Sequence, residues 1–400
     1  MHPQVSVVIK AYNHAAYIGE TIQSILDQSF QDFEIVVTDD GSTDGTANVI
    51  RGFTDPRIHL QVFDENRGIS NAMNATIARA RGEFIAILNS DDFALPGRLE
   101  RQVAFLIANP EIGAVFGLPR IVDESGQPTK SFFDFTIPFS LPDFSRKSFL
   151  KFFFFHGNCL CAPTAMIRSA VYTQVGSYDP RLTNLQDLDM WVRVCTGHDI
   201  HVMREELTAY RIRADNRNMS APRHDSILRS QFEFAQILKR YRAMNSSLVR
   251  EIFADDIAIM EISPDRPHDL WLPDLALKAD SPAHRLFAIE TLFEIAKGDA
   301  EESRLRDLAG SVDVFGIWSA MERDQRINEL NRAIVERDQT IAVRDQLLVE
   351  RNQTIAVRDQ ALAERDQAIV ERDQTIRVLL QSISWRYTAP LRWIRDLISK

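Results

Sequence analysis

The stretch Phe84-Ile85-Ala86-Ile87-Leu88-Asn89-Ser90-Asp91-Asp92 decides how the rest of the chain is read. An apolar, β-branched run of strand length stops abruptly at two adjacent carboxylates. Such runs read as strands buried on both faces, the pattern of a mostly parallel α/β sheet. Ligands of these sheets bind beyond the carboxyl ends of the strands. Two carboxylates are costly to bury unpaired, so a hard cation or a ligand hydroxyl is the expected partner. The same letters also fit a solvated Asp-Asp turn ahead of the helix that starts near Pro96.

Working outward, the first 110 residues alternate strand and helix signals. Val5–Ile9 reads as a strand, and Tyr17–Leu26 as a helix carried by Ile18, Ile22, Ile25 and Leu26. Phe33–Val37 is the next strand, with Thr43 capping a helix through Arg51, and Ile58–Phe63 follows as a strand. A helix over Ser70–Ala80 leads into the quoted strand, and another spans Arg98–Ala108. This order implies right-handed crossovers and a parallel sheet. No GxGxxG follows the first strand, which argues against a dinucleotide site.

The whole chain has 400 residues, 45% of them hydrophobic and 26% charged, with a formal net charge of −10. That length exceeds one ordinary domain, and the acidic balance argues against nucleic acid as a partner. Cys159, Cys161 and Cys195 form no CxxC pair, so buried, reduced structural thiols in a cytoplasmic setting are expected. Met1-His2-Pro3-Gln4 runs straight into a strand, leaving no room for a signal peptide. No run reaches the roughly 18 apolar residues needed to span a bilayer. The phenylalanines at 132, 133, 135, 139, 144, 149 and 152–155 are interleaved with Arg146, Lys147 and Lys151. They fit either core packing or a greasy, basic-rimmed surface for a lipid-linked acceptor.

From Glu322 a seven-residue repeat begins, placing Ile327, Ile334, Ile341, Leu348, Ile355, Leu362, Ile369, Ile376 and Ile383 at one heptad position. A strict period of seven implies a long helix with a supercoiling seam. The second core position is mostly Arg or Asp/Asn, so a polar-cored, oligomeric coiled coil is expected, with a lone helical spacer as the other reading. In residues 385–400, Trp385, Tyr387, Leu391 and Trp393 alternate with Arg386, Arg392, Arg395 and Lys400. This amphipathic segment suits peripheral contact with anionic lipid, or else docking on protein.

Three further features fall at strand ends: Lys10-Ala11-Tyr12-Asn13, Asp39-Asp40-Gly41-Ser42 and Asn66-Arg67-Gly68. Asp and Asn there can bind a ligand, and they also form turns and caps. With Val5–Asn13, Val36–Asp44, Asn66-Arg67-Gly68, Asn74, Arg81–Ile85 and Asn89–Asp92, residues 4–110 resemble the nucleotide-binding half of family 2 glycosyltransferases. The likeness continues more loosely to about residue 220.

This resemblance implies the GT-A fold, a Rossmann-like and mostly parallel central sheet flanked by helices, over 1–220. A helical region over 221–315, a heptad-repeat coiled coil over 320–384 and an amphipathic terminal helix over 385–400 follow. It further implies an inverting transferase that moves a sugar from a nucleoside-diphosphate sugar to a glycan or lipid-linked acceptor. Cell-surface polysaccharide synthesis on the inner face of the cell membrane is the setting it suggests.

By the same resemblance, Ala11, Tyr12, Asn13, Asn66, Arg67 and Gly68 line the donor site. Asp40 hydrogen-bonds the base, Asp91 lies near the ribose, and Asp92 holds Mg²⁺ or Mn²⁺. The family often has Asp where Asn89 stands. In Asn184-Leu-Gln-Asp-Leu-Asp-Met-Trp191, Asp187 matches the general base, although acidic residues there also suit a helix N-terminus. Asp189 is read as structural. In Tyr210-Arg211-Ile-Arg213, Arg213 replaces a usual His, and Arg211 and Arg213 are candidate diphosphate contacts. His156, followed by Gly157-Asn158, is a candidate on the acceptor side or part of a structural turn. A non-catalytic scaffold built on a degenerate transferase domain is the competing reading, and intact Asp40, Asp91, Asp92 and Asp187 speak against it. Nucleotidyl transfer would need phosphate-gripping basic motifs near the N-terminus that the chain lacks.

Overall fold

The computed structural model describes residues 2–129, 135–141, 145–213, 224–279 and 281–296. In the C-terminal part it describes 303, 305, 337, 341, 344, 346–348, 351–353, 355–378, 391–393, 396, 397 and 399. The strands are β1 (Val5–Ala11), β2 (Phe33–Asp39), β3 (Ile58–Val62), β4 (Phe84–Asn89), β5 (Phe93–Ala94), β6 (Ile112–Val122), β7 (Met166–Arg168) and β8 (Asp199–Arg211). Helices α1 (Ile18–Leu26), α2 (Thr46–Arg51), α3 (Ile69–Arg79) and α4 (Arg98–Ala108) alternate with the early strands. The rest are α5 (Arg146–His156), α6 (Ser169–Val175), α7 (Gln186–Gly197), α8 (His224–Arg242), α9 (Ser246–Ile252), α10 (Ala254–Ile259), α11 (His268–Ala276) and α12 (Pro282–Ile295).

The strands form one sheet in the order β3-β2-β1-β4-β7-β6-β8-β5. Its first four strands are parallel, as the alternating pattern predicts, with Lys10 level with Thr38 and Asn89. β7 joins antiparallel to both β4 and β6, and β5 antiparallel to β8, while β6 and β8 are parallel. β1 and β2 each run two residues beyond the expected ends, to Ala11 and Asp39, because ladder pairing continues there. The expected cap at Thr43 is corrected. α2 starts at Thr46, whose N–H donates to Asp44 Oδ1 at 3.0 Å after Gly45 turns at φ 93°.

Strand alternation builds two cores. Val5, Val7 and Ile9 face the α1 and α4 side with Phe84, Ala86 and Leu88. Val8, Ile85 and Ile87 face the opposite layer, which includes Phe149, Phe153, Phe154, Trp191 and the helices after 224. The phenylalanine cluster therefore largely packs inside: Phe149, Phe153 and Phe154 are fully buried, and Phe152, Phe155 and Phe139 lie against the core. Phe132, Phe133 and Phe144 are outside the described residues. All three cysteines are buried, free thiols.

Within the helical region expected over 221–315, the described helices after 224 share this core, with Tyr241 Oη donating to the Leu150 carbonyl at 2.7 Å. The chain divides into two compact units, 1–325 and 326–400. In the second, residues 355–378 are continuously helical, and Ile355, Leu362, Ile369 and Ile376 are 41–51% exposed. Ile327, Ile334 and Ile383 lie outside the described residues, as do Trp385 and Tyr387 of the terminal segment. Among the described residues no helix is long and apolar enough to cross a membrane.

Candidate active site

The parallel half of the sheet delivers its loops to one edge. Lys10 and Ala11 close β1, Asp39 closes β2 with Asp40 next to it, and Asn89 closes β4 ahead of the Ser90–Asp92 loop. Thr21 on α1 fixes the β4 loop by donating to the Asp92 carbonyl at 2.7 Å and to the Ser90 carbonyl at 3.1 Å.

Asp92 is buried, 1% exposed. Its Oδ1 accepts the Arg211 backbone N–H at 2.8 Å, and its Oδ2 accepts the Asn89 side-chain N–H at 2.8 Å. Burial and the neighbouring Asp91 charge push the Asp92 carboxyl well above the usual range. Asp91, 7% exposed, is the more open of the two. Its Oδ2 lies 3.3 Å from Arg213 Nε and 3.8 Å from His14 Nε2. His14 Nδ1 in turn lies 2.7 Å from Ser90 Oγ. Two adjacent carboxylates, one of them desolvated with no countercharge in contact among the described residues, suit a divalent cation. Among the described residues no three His, Cys, Asp or Glu side chains form a ready-made metal cage.

Asn89 also accepts from Lys10 Nζ, at 2.9 Å through Oδ1. An amide can accept from the ammonium and donate to Asp92 at once, which a carboxylate cannot do. Burial lowers the Lys10 pKa, against the raising fields of Asp91, Asp92 and Asp187. One ammonium thus senses all three carboxylates.

Asp187 occupies the first turn of α7, a helix anchored by the buried Trp191, whose ring meets Phe116 edge-on with centroids 4.9 Å apart. The Leu188 N–H donates to Asp187 Oδ1 at 2.8 Å and Asn158 Nδ2 to Oδ2 at 3.0 Å. Burial raises its pKa to about 6, against the lowering effects of the Leu188 N–H and Lys10, with Glu233 adding a smaller upward push. Glu233 on α8 accepts N–H bonds from Thr183, Asn184 and Leu185 at 2.8–2.9 Å and so fixes the approach to α7. Asp189 turns away from the site, bonded by Arg193 Nε at 2.9 Å and Arg240 Nε at 2.8 Å.

At the β2 end, Asp40 accepts the Arg67 N–H at 2.7 Å and the Gly68 N–H at 3.0 Å. It clamps the 66–68 turn, and each oxygen retains a lone pair. Asn66 Oδ1 also accepts from Gly68 N–H, at 3.1 Å. The Ala11 carbonyl accepts the Asp40 N–H at 2.8 Å. Asn13, at φ 53°, accepts the Thr43 N–H at 2.9 Å. Tyr12 is exposed beside it, and the Arg67 guanidinium lies 4.4 Å from the Phe63 ring centre.

Arg211 lies inside the fold. Its guanidinium is buried and donates to the Asp91 carbonyl at 2.8 Å, the Glu124 carbonyl at 2.6 Å and Glu20 Oε2 at 2.5 Å. With its nitrogens bonded inside the fold, it braces the Asp91–Asp92 loop. Arg213 faces Asp91 as described, and His156 sits exposed at the end of α5 with its ring 4.8 Å from that of Phe152. Sequence reasoning missed His14 and Glu233, named Asn158 only with the turn after His156, and left Lys10 without a role. Only Lys10 carried a signal, a cation at the end of an otherwise apolar strand.

The glycosyl transferase family 2 model matches residues 6–176. An uncharacterized glycosyltransferase of Methanocaldococcus jannaschii, MJ1057, is 32% identical over 215 residues, covering 52% of this chain and 71% of that protein. The putative teichuronic acid biosynthesis glycosyltransferase TuaG of Bacillus subtilis is 29% identical over 238 residues, 59% of this chain and 88% of that protein. The crystal structure of S. aureus TarS 1–349 in complex with UDP superposes with a TM-score of 0.52 at 15% identity, covering 81% of this chain and 91% of that one. This GT-A fold and these sequence matches place the chain in glycosyltransferase family 2.

Proposed function

We propose that this transferase moves a sugar, with inversion, from a nucleoside-diphosphate sugar to a hydroxyl of a glycan or lipid-linked acceptor in cell-surface polysaccharide synthesis. The observation that supports the reading is the Asp91–Asp92 loop after β4, where Asn89 bridges Asp92 at 2.8 Å and Lys10 at 2.9 Å and Asp187 acts on the same ammonium. The teichuronic acid role in the name of TuaG supports the polysaccharide setting.

In this reading Asp40, Ala11, Tyr12, Asn13 and the 66–68 turn receive the nucleoside, and Asp91 lies by the ribose. Asp92, with Asp91 beside it, would hold Mg²⁺ or Mn²⁺. A divalent cation bound there supplies positive charge against the diphosphate as the glycosidic bond breaks. Asp187 takes the proton from the acceptor hydroxyl as its oxygen attacks the anomeric carbon, opposite the departing diphosphate. Asn158 holds Asp187 Oδ2 and leaves a lone pair for that proton. Inversion follows from a single displacement without a glycosyl-enzyme intermediate. His156 and Arg213 are proposed contacts on the acceptor and diphosphate sides.

The exposed heptad stripe at Ile355, Leu362, Ile369 and Ile376 supports pairing with another copy of the chain. Exposed Leu391, Trp393 and Leu397 support peripheral membrane contact. The reading is tested by thermal shift with UDP-, dTDP- and GDP-sugars plus Mn²⁺, followed by transfer assays with the stabilising donor. No stabilisation by any of them, or transfer undiminished in Asp187→Asn, overturns it.

A further inference from the structure

Lys10 makes one hydrogen bond among the described residues, to Asn89 Oδ1 at 2.9 Å. An ammonium has three donors, so two remain. Lys10 is half-buried, and an ammonium held there only for structure is expected to pair with a carboxylate in contact, because an unpaired charge is costly to desolvate. Here its contact is a neutral amide, while Asp91, Asp92 and Asp187 act on it from farther away. Asn89 also fixes Asp92, so the ammonium and the cation-binding carboxylate are held at the two ends of one side chain. Arg213 and His14 line the Asp91 side of the same edge.

We infer that Lys10 binds the donor's diphosphate directly, as a built-in cation that lowers the site's dependence on a divalent metal. The inference rests on the reading of this edge as a nucleoside-diphosphate-sugar site. A partly desolvated ammonium attracts phosphate oxygen more strongly than one in water, and charge-assisted bonds of this kind are short and strong. Asn89 preserves that charge. A carboxylate at position 89 would pair with Lys10 and neutralise it.

The test uses the full chain and calorimetric binding of UDP, dTDP and GDP, in excess Mn²⁺ and separately in EDTA. The wild type is expected to keep measurable binding in EDTA. Lys10→Met should weaken binding in EDTA by about tenfold or more, with a smaller loss in Mn²⁺. Lys10→Arg should retain metal-free binding. Asn89→Asp should weaken binding in EDTA as Lys10→Met does, and it decides the matter if Lys10→Met fails to fold by circular dichroism. Equal weakening of Lys10→Met in both media, wild-type binding by that variant in EDTA, or no wild-type binding in EDTA overturns the inference. Failure of the wild type to bind any of the three in Mn²⁺ overturns the underlying site reading instead.

Discussion

Asp187 joins two properties that pull in opposite directions. Its burial raises the pKa to about 6, which brings it closer to the range of a working general base. Replacing it with Asn should lower the rate of transfer by about 10²–10⁴ while leaving donor binding in place. In the wild type, kcat/KM should fall about tenfold per pH unit below about 6 and level off above it, as the base becomes ionised. The stability consequence has the opposite sign. Because the folded pKa lies above the unfolded one, folding favours the protonated acid, and stability declines as pH rises from about 4 to about 6. Asp187→Asn should therefore melt higher than the wild type at pH 8, with the gain vanishing near pH 4. Thermal melts across that range check this independently of turnover.

At the scale of elements, the site depends on contacts between segments distant in sequence. Gly41 sits at φ 72°, and a Cβ there would lie 2.6 Å from the Glu65 carbonyl carbon. Gly41→Ala should destabilise the fold by about 1–3 kcal/mol and loosen the 66–68 turn, which denaturant melts and nucleotide titration would register. Glu233→Gln leaves the N–H groups of 183–185 less well satisfied, an expected loss of about 1–3 kcal/mol. It also removes a negative charge that raises the Asp187 pKa, so the acid limb of the pH–rate profile should move to lower pH. The parallel strands and α4 were legible because their apolar runs and the 3.6-residue period are local. The bond from Glu233 to the α7 approach was not, since nothing within residues 221–315 reveals what lies across from them.

For the molecule as a whole, the transferase fold lies in the unit ending at Gln325, and the heptad repeat begins the second unit. Truncation after Gln325 should preserve donor binding and reduce the solution mass by more than the deleted residues account for. A mass drop equal to the deletion, measured by light scattering, would mean that the repeat does not associate copies. Removing residues 385–400 should reduce sedimentation with anionic vesicles, since the segment carries Arg386, Arg392, Arg395 and Lys400 beside Leu391, Trp393 and Leu397.

The sequence by itself determined the parallel half of the sheet, the strand end at Asp91–Asp92 and the acidic start of α7. Hydrophobic period and abrupt changes of polarity are written in consecutive residues. Only the tertiary structure decided which of the charged side chains work together. It drew Arg211 inward to brace the Asp91–Asp92 loop and set Glu233 behind α7. It placed Lys10 against Asn89 in the field of three aspartates. Those outcomes depend on desolvation and on partners far apart in sequence, such as Arg211 and Glu20, 191 residues apart. Neither quantity exists until the chain is folded.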